Sequence, residues 1–219
     1  MRMPYAEIEP YLLEINRLKG RYPLEILAGF EGEFITGEER FYESLLTRSD
    51  CDYLIMGQHF FRTSQGDLLS AYAAQSTRQY VEYAQDIARG IARGYFLYSA
   101  HPDLIWLTGF PWDDDCDRAC DIIIEASVRY HVPLEYNANG MRRGLQSFPD
   151  GVRYQYPHDR FWQRVAQGGA PVCIGSDCHS TELLWDDFMF QAYENLKMLG
   201  IEPVDMNELF KTKKGGFLR

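Results

Sequence analysis

The sequence predicts an α/β fold, a largely parallel sheet or barrel forming one domain over residues 1–219. Two patterns carry that expectation. Short apolar runs alternate with longer segments of helical period, and right-handed crossovers turn such an alternation into parallel strands. Five of the apolar runs also lead into residues with chemistry to offer: Glu31, His59, His101, Asn137 and Asp177, with His179 just beyond. In parallel α/β folds and barrels the C-terminal strand ends share one face, where ligands and catalytic groups collect.

Taken in order, Ile8, Leu12, Ile15 and Leu18 fall at helical spacing within residues 5–20, and Gly20 ends the run. Residues 24–31 read as a buried strand closing on Gly-x-Glu. A second strand, 53–56, leads to Gly57-Gln58-His59. Residues 70–93 form a long helical pattern with Tyr72, Tyr80, Tyr83, Ile87 and Ile91 facing inward. The strand 95–100 ends at His101-Pro102-Asp103, a helix follows over about 114–130, and the strand 132–136 ends at Asn137. A Gly-, Arg- and aromatic-rich loop covers 138–156; a connection of that length is usually functional or disordered. Pro157 opens a helix through Gln167. The last strand, 171–174, turns through Gly175-Ser176-Asp177-Cys178-His179 into a helix over 181–199.

Composition narrows the function classes. The chain has 219 residues, 46% hydrophobic and 25% charged, which suits one sizeable soluble core. Its net charge is −10, and its lysines cluster only at the tail (Lys211, Lys213, Lys214), so nucleic acid is disfavoured as a partner. No apolar run approaches the roughly 18 residues of a membrane span. Met1-Arg2-Met3-Pro4 leads straight into an acidic amphipathic segment, which gives no secretory signal. Five cysteines without framework spacing suit free thiols in a reducing cytoplasm.

Carboxylate and imidazole are ligands for zinc, manganese or iron, so Glu31, His59, His101, Asp177 and His179 form a candidate metal set. Asp177 and His179 share a face of extended chain; the plainer reading is an Asp that caps the next helix. His131, between a helix and a strand, reads as a connector. His158, at a helix start, reads as a local cap or packing residue. Cys116 and Cys120, one helical turn apart, read as helix thiols rather than a metal knuckle.

With those residues assembled, the chain resembles the polymerase-and-histidinol-phosphatase (PHP) superfamily, and within it the histidinol-phosphate phosphatases. The matching segments are Gly29-Phe30-Glu31-Gly32-Glu33-Phe34, Gly57-Gln58-His59-Phe60, His101-Pro102-Asp103-Leu104, Leu134-Glu135-Tyr136-Asn137-Ala138-Asn139-Gly140, Tyr156-Pro157 with Phe161, and Gly175-Ser176-Asp177-Cys178-His179. They stand in family order over most of the chain. The resemblance implies a distorted (β/α)7 barrel with up to three divalent metals (Zn, Mn or Fe) at the strand C-termini. Glu31 would bridge two metals, His59 and His101 would complete one, and Asp177 and His179 would serve the others. Family members begin with a strand carrying His-x-His; this sequence has no His-x-His, and its first histidine is His59. The resemblance therefore implies a PHP-type barrel incomplete at its N-terminus, with one metal well held. It also implies exposed sheet edges that favour association between copies.

The activity implied is metal-dependent hydrolysis of a small phosphomonoester, L-histidinol phosphate first, in histidine biosynthesis. Asp177 and His179 are its catalytic candidates. Arg142 and Arg143 grip phosphate bidentately or form a solvated loop pair, and Asn137 orients the substrate or a ligand, or caps its strand. Glu33 takes an outer role, and Asp103 is the expected partner for the second ring N–H of His101. Two other readings stay open: a PHP phosphoesterase acting on another small phosphate or a nucleotide, and an inactive metal-binding fragment.

Overall fold

The computed structural model describes residues 3–214; Met1, Arg2 and the side chains of Lys213 and Lys214 lie outside the described residues. Helix α1 (Ile8–Leu18) buries Ile8 and Leu12, and leads through an irregular stretch to β1 (Gly29–Gly32). The strand is shorter than the apolar run suggests, although Ala28 O already accepts from Asp52 N at 2.7 Å. Helix α2 (Glu39–Leu46) crosses to β2 (Tyr53–Gly57). An unexpected hairpin follows, β3 (Phe60–Arg62) with β4 (Leu68–Ser70), and Gly66 supplies a φ of 93° in its turn.

Helix α3 (Thr77–Arg93) buries Tyr80, Tyr83, Ile87 and Ile91, the expected inward stripe, while Tyr72 lies outside the helix in a short 3-10 turn. Strand β5 spans only Ser99–Ala100. Helix α4 (Asp114–Tyr130) packs along α3 and buries Cys116, Ala119, Cys120 and Ile123, so both thiols are core residues. Asp113 caps it, accepting from Cys116 N at 3.1 Å, and three acidic residues in its first turn suit the helix dipole. His131 ends it in the left-handed conformation, φ 53°.

Strand β6 (Leu134–Asn137) is buried throughout. The 138–156 stretch is not structureless: it holds α5 (Ala138–Arg142) and a hairpin of β7 (Gln146–Phe148) and β8 (Gly151–Arg153). His158 caps α6 (Asp159–Gly168), accepting from Arg160 N at 3.2 Å. After β9 (Val172–Gly175) a 3-10 turn precedes α7 (Asp187–Met198), and α8 (Met206–Lys214) closes the described chain.

Strands β1-β2-β5-β6-β9 form one all-parallel sheet in their order along the chain, the order of a barrel wall. Among the described residues it does not close into a barrel; β1 and β9 are its two edges. Each edge strand has a carbonyl satisfied from outside the sheet: Tyr11 Oη donates to Gly29 O and Val204 N to Val172 O, both at 2.8 Å. No described helix is long and apolar enough to cross a membrane.

Candidate active site

Glu31, His59 and His101 stand at or just past the ends of three adjacent strands, β1, β2 and β5, and the parallel register brings them together. Their ligand atoms all lie within 4.8 Å of one another. His101 Nε2 is 3.1 Å and His59 Nε2 3.8 Å from the same oxygen, Glu31 Oε1. The His59 Nδ1 lies 3.1 Å from Gly57 O and 3.4 Å from Glu33 Oε1, which assigns the ring proton to Nδ1 and turns Nε2 inward. Glu33 thereby takes the outer role expected of it, and its Oε2 also accepts from Phe60 N at 2.9 Å. Space for the Glu31 carboxylate comes from Gly57, where a Cβ would overlap Oε1.

Two imidazole nitrogens facing one carboxylate oxygen are a borderline-to-hard donor set that fits Zn, Mn or Fe. The electrostatics agree. Burial pushes the Glu31 carboxyl up, but the His101 hydrogen bond and the fields of His101, His59 and His179 outweigh it and hold the group below its ordinary value. Burial pushes His101 down, and Glu31, Glu135 and Asp177 together raise it.

His101 is buried with a φ of 31°, and its backbone N donates to Glu135 Oε2 at 3.0 Å. Asp103 is not its ring partner. Its carboxylate turns to His158 N (2.6 Å) and Trp162 Nε1 (3.0 Å), and burial raises it to about 6. The His101 Nδ1 has no hydrogen-bond partner among the described residues.

Asp177 and His179 line the same cleft of about 850 Å³ but stand apart from the three-residue cluster. Asp177 adopts a φ of 45°, and Asn137 Nδ2 and Asn139 Nδ2 each donate to its Oδ2 at 3.2 Å. His179 is largely exposed, with Nδ1 3.0 Å from Asp177 O. Tyr72 lies parallel to the His59 ring at 6.4 Å, and Tyr156 and Arg143 complete the wall.

The two arginines part company. Arg143 is exposed at the cleft, its guanidinium 5.7 Å above the Tyr156 ring. Arg142 points away from the cleft and its donors are taken: Asp186 at 2.7 and 3.0 Å, Ser176 O and Oγ, and Leu183 O. It ties α5 to the loop that carries Asp177 rather than offering itself to a substrate. Asn137 is likewise fully buried; it donates to Glu135 and Asp177 and caps α5 through Asn139 N, so it positions Asp177 from behind. Glu135 is the residue that sequence reasoning passed over, a carboxyl on the buried strand β6 that burial pushes up to about 7, against the pull of His101. Its only signal was an acid inside the apolar run 132–136.

No family model matches the chain. A curated Deinococcus radiodurans protein named "Probable histidinol-phosphatase" is 25% identical over 194 residues, covering 81% of this chain and 67% of that protein. The crystal structure of the "putative histidinol phosphatase" of Listeria monocytogenes superposes with a TM-score of 0.68 at 17% identity, over 86% of this chain and 77% of that one. Histidinol phosphate phosphatase of Lactococcus lactis, solved with zinc, L-histidinol and phosphate, gives 0.62 at 15% identity, over 90% and 76%. The chain therefore shares its fold with structures described as histidinol phosphatases.

Proposed function

We propose that this protein is a metal-dependent phosphomonoesterase that hydrolyses L-histidinol phosphate to L-histidinol and phosphate, a step of histidine biosynthesis in the cytoplasm. The observation that carries the reading is the convergence of His59 and His101 on Glu31 in a cleft shared with Arg143, Asp177 and His179. Likeness to a curated protein named "Probable histidinol-phosphatase" and to a structure holding zinc, L-histidinol and phosphate points the same way.

Glu31, His59 and His101 would hold a divalent zinc, manganese or iron ion. Such an ion supplies charge neutralisation at the phosphoryl oxygens and a water of lowered pKa. Arg143 contributes a guanidinium fork for the remaining phosphate oxygens at the mouth of the cleft. Nδ1 of His179 donates to the Asp177 carbonyl, so in the imidazolium form of the ring Nε2 carries the second proton and would give it to the departing alkoxide. Tyr72 and Tyr156 offer aromatic faces to the imidazole end of the substrate.

The test is a comparison of L-histidinol phosphate with nucleoside monophosphates as substrates, alongside metal stoichiometry by elemental analysis. Preferred turnover of histidinol phosphate with at least one tightly held ion supports the reading. Preference for a nucleotide sinks the substrate assignment, and absence of both metal and turnover sinks the enzyme.

A further inference from the structure

We propose that Glu135 is a positioning residue of the metal centre, whose single oxygen Oε2 sets the His101 backbone and joins it, through Asn137, to Asp177. The inference rests on the metal-site reading above.

An acid on a central buried strand is costly unless its oxygens are well occupied, and an aliphatic residue would serve stability better. Among the described residues no arginine or lysine hydrogen-bonds to Glu135. Its Oε2 instead accepts from His101 N at 3.0 Å and from Asn137 Nδ2 at 2.8 Å. The first contact has a geometric origin. Strand β5 ends at Ala100, and His101 turns into the left-handed region, so its N–H leaves the ladder. The neighbouring strand supplies the acceptor that the ladder no longer gives. A left-handed φ at a non-glycine residue is strained, and a buried hydrogen bond at that residue opposes relaxation of the turn that aims the imidazole. The second contact follows from period two: Glu135 and Asn137 share a face of β6, and Asn137 passes the link on to Asp177 Oδ2 at 3.2 Å. The other oxygen, Oε1, rests over Gly175, where a Cβ would overlap it.

Three variants separate this role from bulk packing. Glu135→Leu keeps the volume and removes the acceptor. Gly175→Ala leaves Glu135 in the sequence and displaces its carboxylate; Gly175 is not at positive φ, so alanine adds no backbone strain. Glu135→Gln keeps a carbonyl oxygen for both donors. The readouts are metal affinity by chelator competition and hydrogen exchange of the His101 amide. Loss of an outer partner typically weakens a metal site by about 10- to 100-fold, so Glu135→Leu and Gly175→Ala should each weaken binding about tenfold or more and speed His101 exchange. Glu135→Gln should restore both to within about threefold. Wild-type affinity and exchange in Gly175→Ala and in a folded Glu135→Leu would overturn the proposal, as would a Gln variant no better than Leu. If Glu135→Leu does not fold, Gly175→Ala decides. If the wild-type protein binds no metal, the functional reading falls, while His101 exchange still reports whether Glu135 holds that amide.

Discussion

The carboxylate of Glu31 lies over Gly57, so close that one methyl group at position 57 would take the space of Oε1. The same relationship recurs three strands further along the sheet, where Glu135 lies over Gly175. In each case an acid from one strand covers the glycine that ends the next, which lets a carboxylate lie against the sheet where a side chain would otherwise stand. Gly57→Ala should therefore expel the Glu31 carboxylate without unfolding the protein, because the displaced atoms are the end of a half-exposed side chain. Metal affinity in a chelator competition should fall by about tenfold or more, with the urea midpoint nearly unchanged. Unchanged affinity would mean that Glu31 is not a ligand.

Adjacent arginines give opposite expectations. Arg143→Ala removes an exposed cation at the cleft and should raise KM for the phosphoester about tenfold or more while stability stays within about 0.5 kcal/mol. Arg142→Ala strips the partners from Asp186, Ser176 and Leu183 and should cost on the order of 2 kcal/mol, lowering the thermal midpoint. Denaturation curves and steady-state kinetics on both variants check the pair. A stable Arg142→Ala protein with a raised KM would return that residue to the substrate.

These arginines also show where sequence reading stops. Glu31, His59 and His101 were legible because a polar group at the end of an apolar run marks a strand C-terminus, and parallel strands align those ends. Which of two neighbours faces the cleft depends on the rotation of α5, a helix of five residues too short to carry a periodic signal. The hairpins β3–β4 and β7–β8 were hidden for the same reason, each strand being three residues long. Alternation suggests that Glu135 and Asn137 share a face, but only the register against β5 shows that the face meets His101. The barrel expectation fared differently: the parallel order was readable, whereas closure needs contacts across the edges that the described residues do not make.

Metal binding and turnover should separate when ligand candidates are removed singly. His101→Ala takes away a buried imidazole at the centre of the cluster and should lower affinity for the tightest ion by more than about a hundredfold. His179 stands outside that cluster and is largely exposed, so His179→Ala should leave the tight ion bound within about threefold. Turnover in the same variant should drop about 100-fold or more if His179 protonates the leaving oxygen. Elemental analysis paired with single-turnover assays distinguishes the two. Full activity in His179→Ala would remove it from the chemistry.

His158 gives a pH signature remote from that chemistry. It is buried beside Trp112 and Trp106, with Nε2 3.3 Å from Asp150, and its Nδ1 accepts from Arg160 N. Burial and then Arg153 push its pKa down to about 4 from the ordinary 6.5, and Asp150 offsets them only in part. As pH falls below about 6.5 the unfolded chain takes up a proton that the folded protein refuses, so stability is lost progressively until the folded group titrates near 4. Asp103 and Glu135, raised to about 6 and about 7, act in the opposite sense, since each ionises at a cost to the fold as pH rises through those values. Total stability therefore masks the histidine, and a difference reveals it. His158→Asn keeps a good N-cap, removes the titration and leaves both acids in place. The advantage of the wild-type protein over that variant should shrink by about 2.5 kcal/mol between pH 7.5 and pH 4.5 in urea titrations. Parallel curves for the two proteins would show that His158 titrates alike in the folded and unfolded chain, and that its contacts with Asp150 and the two tryptophans hold the charged ring as readily as the neutral one.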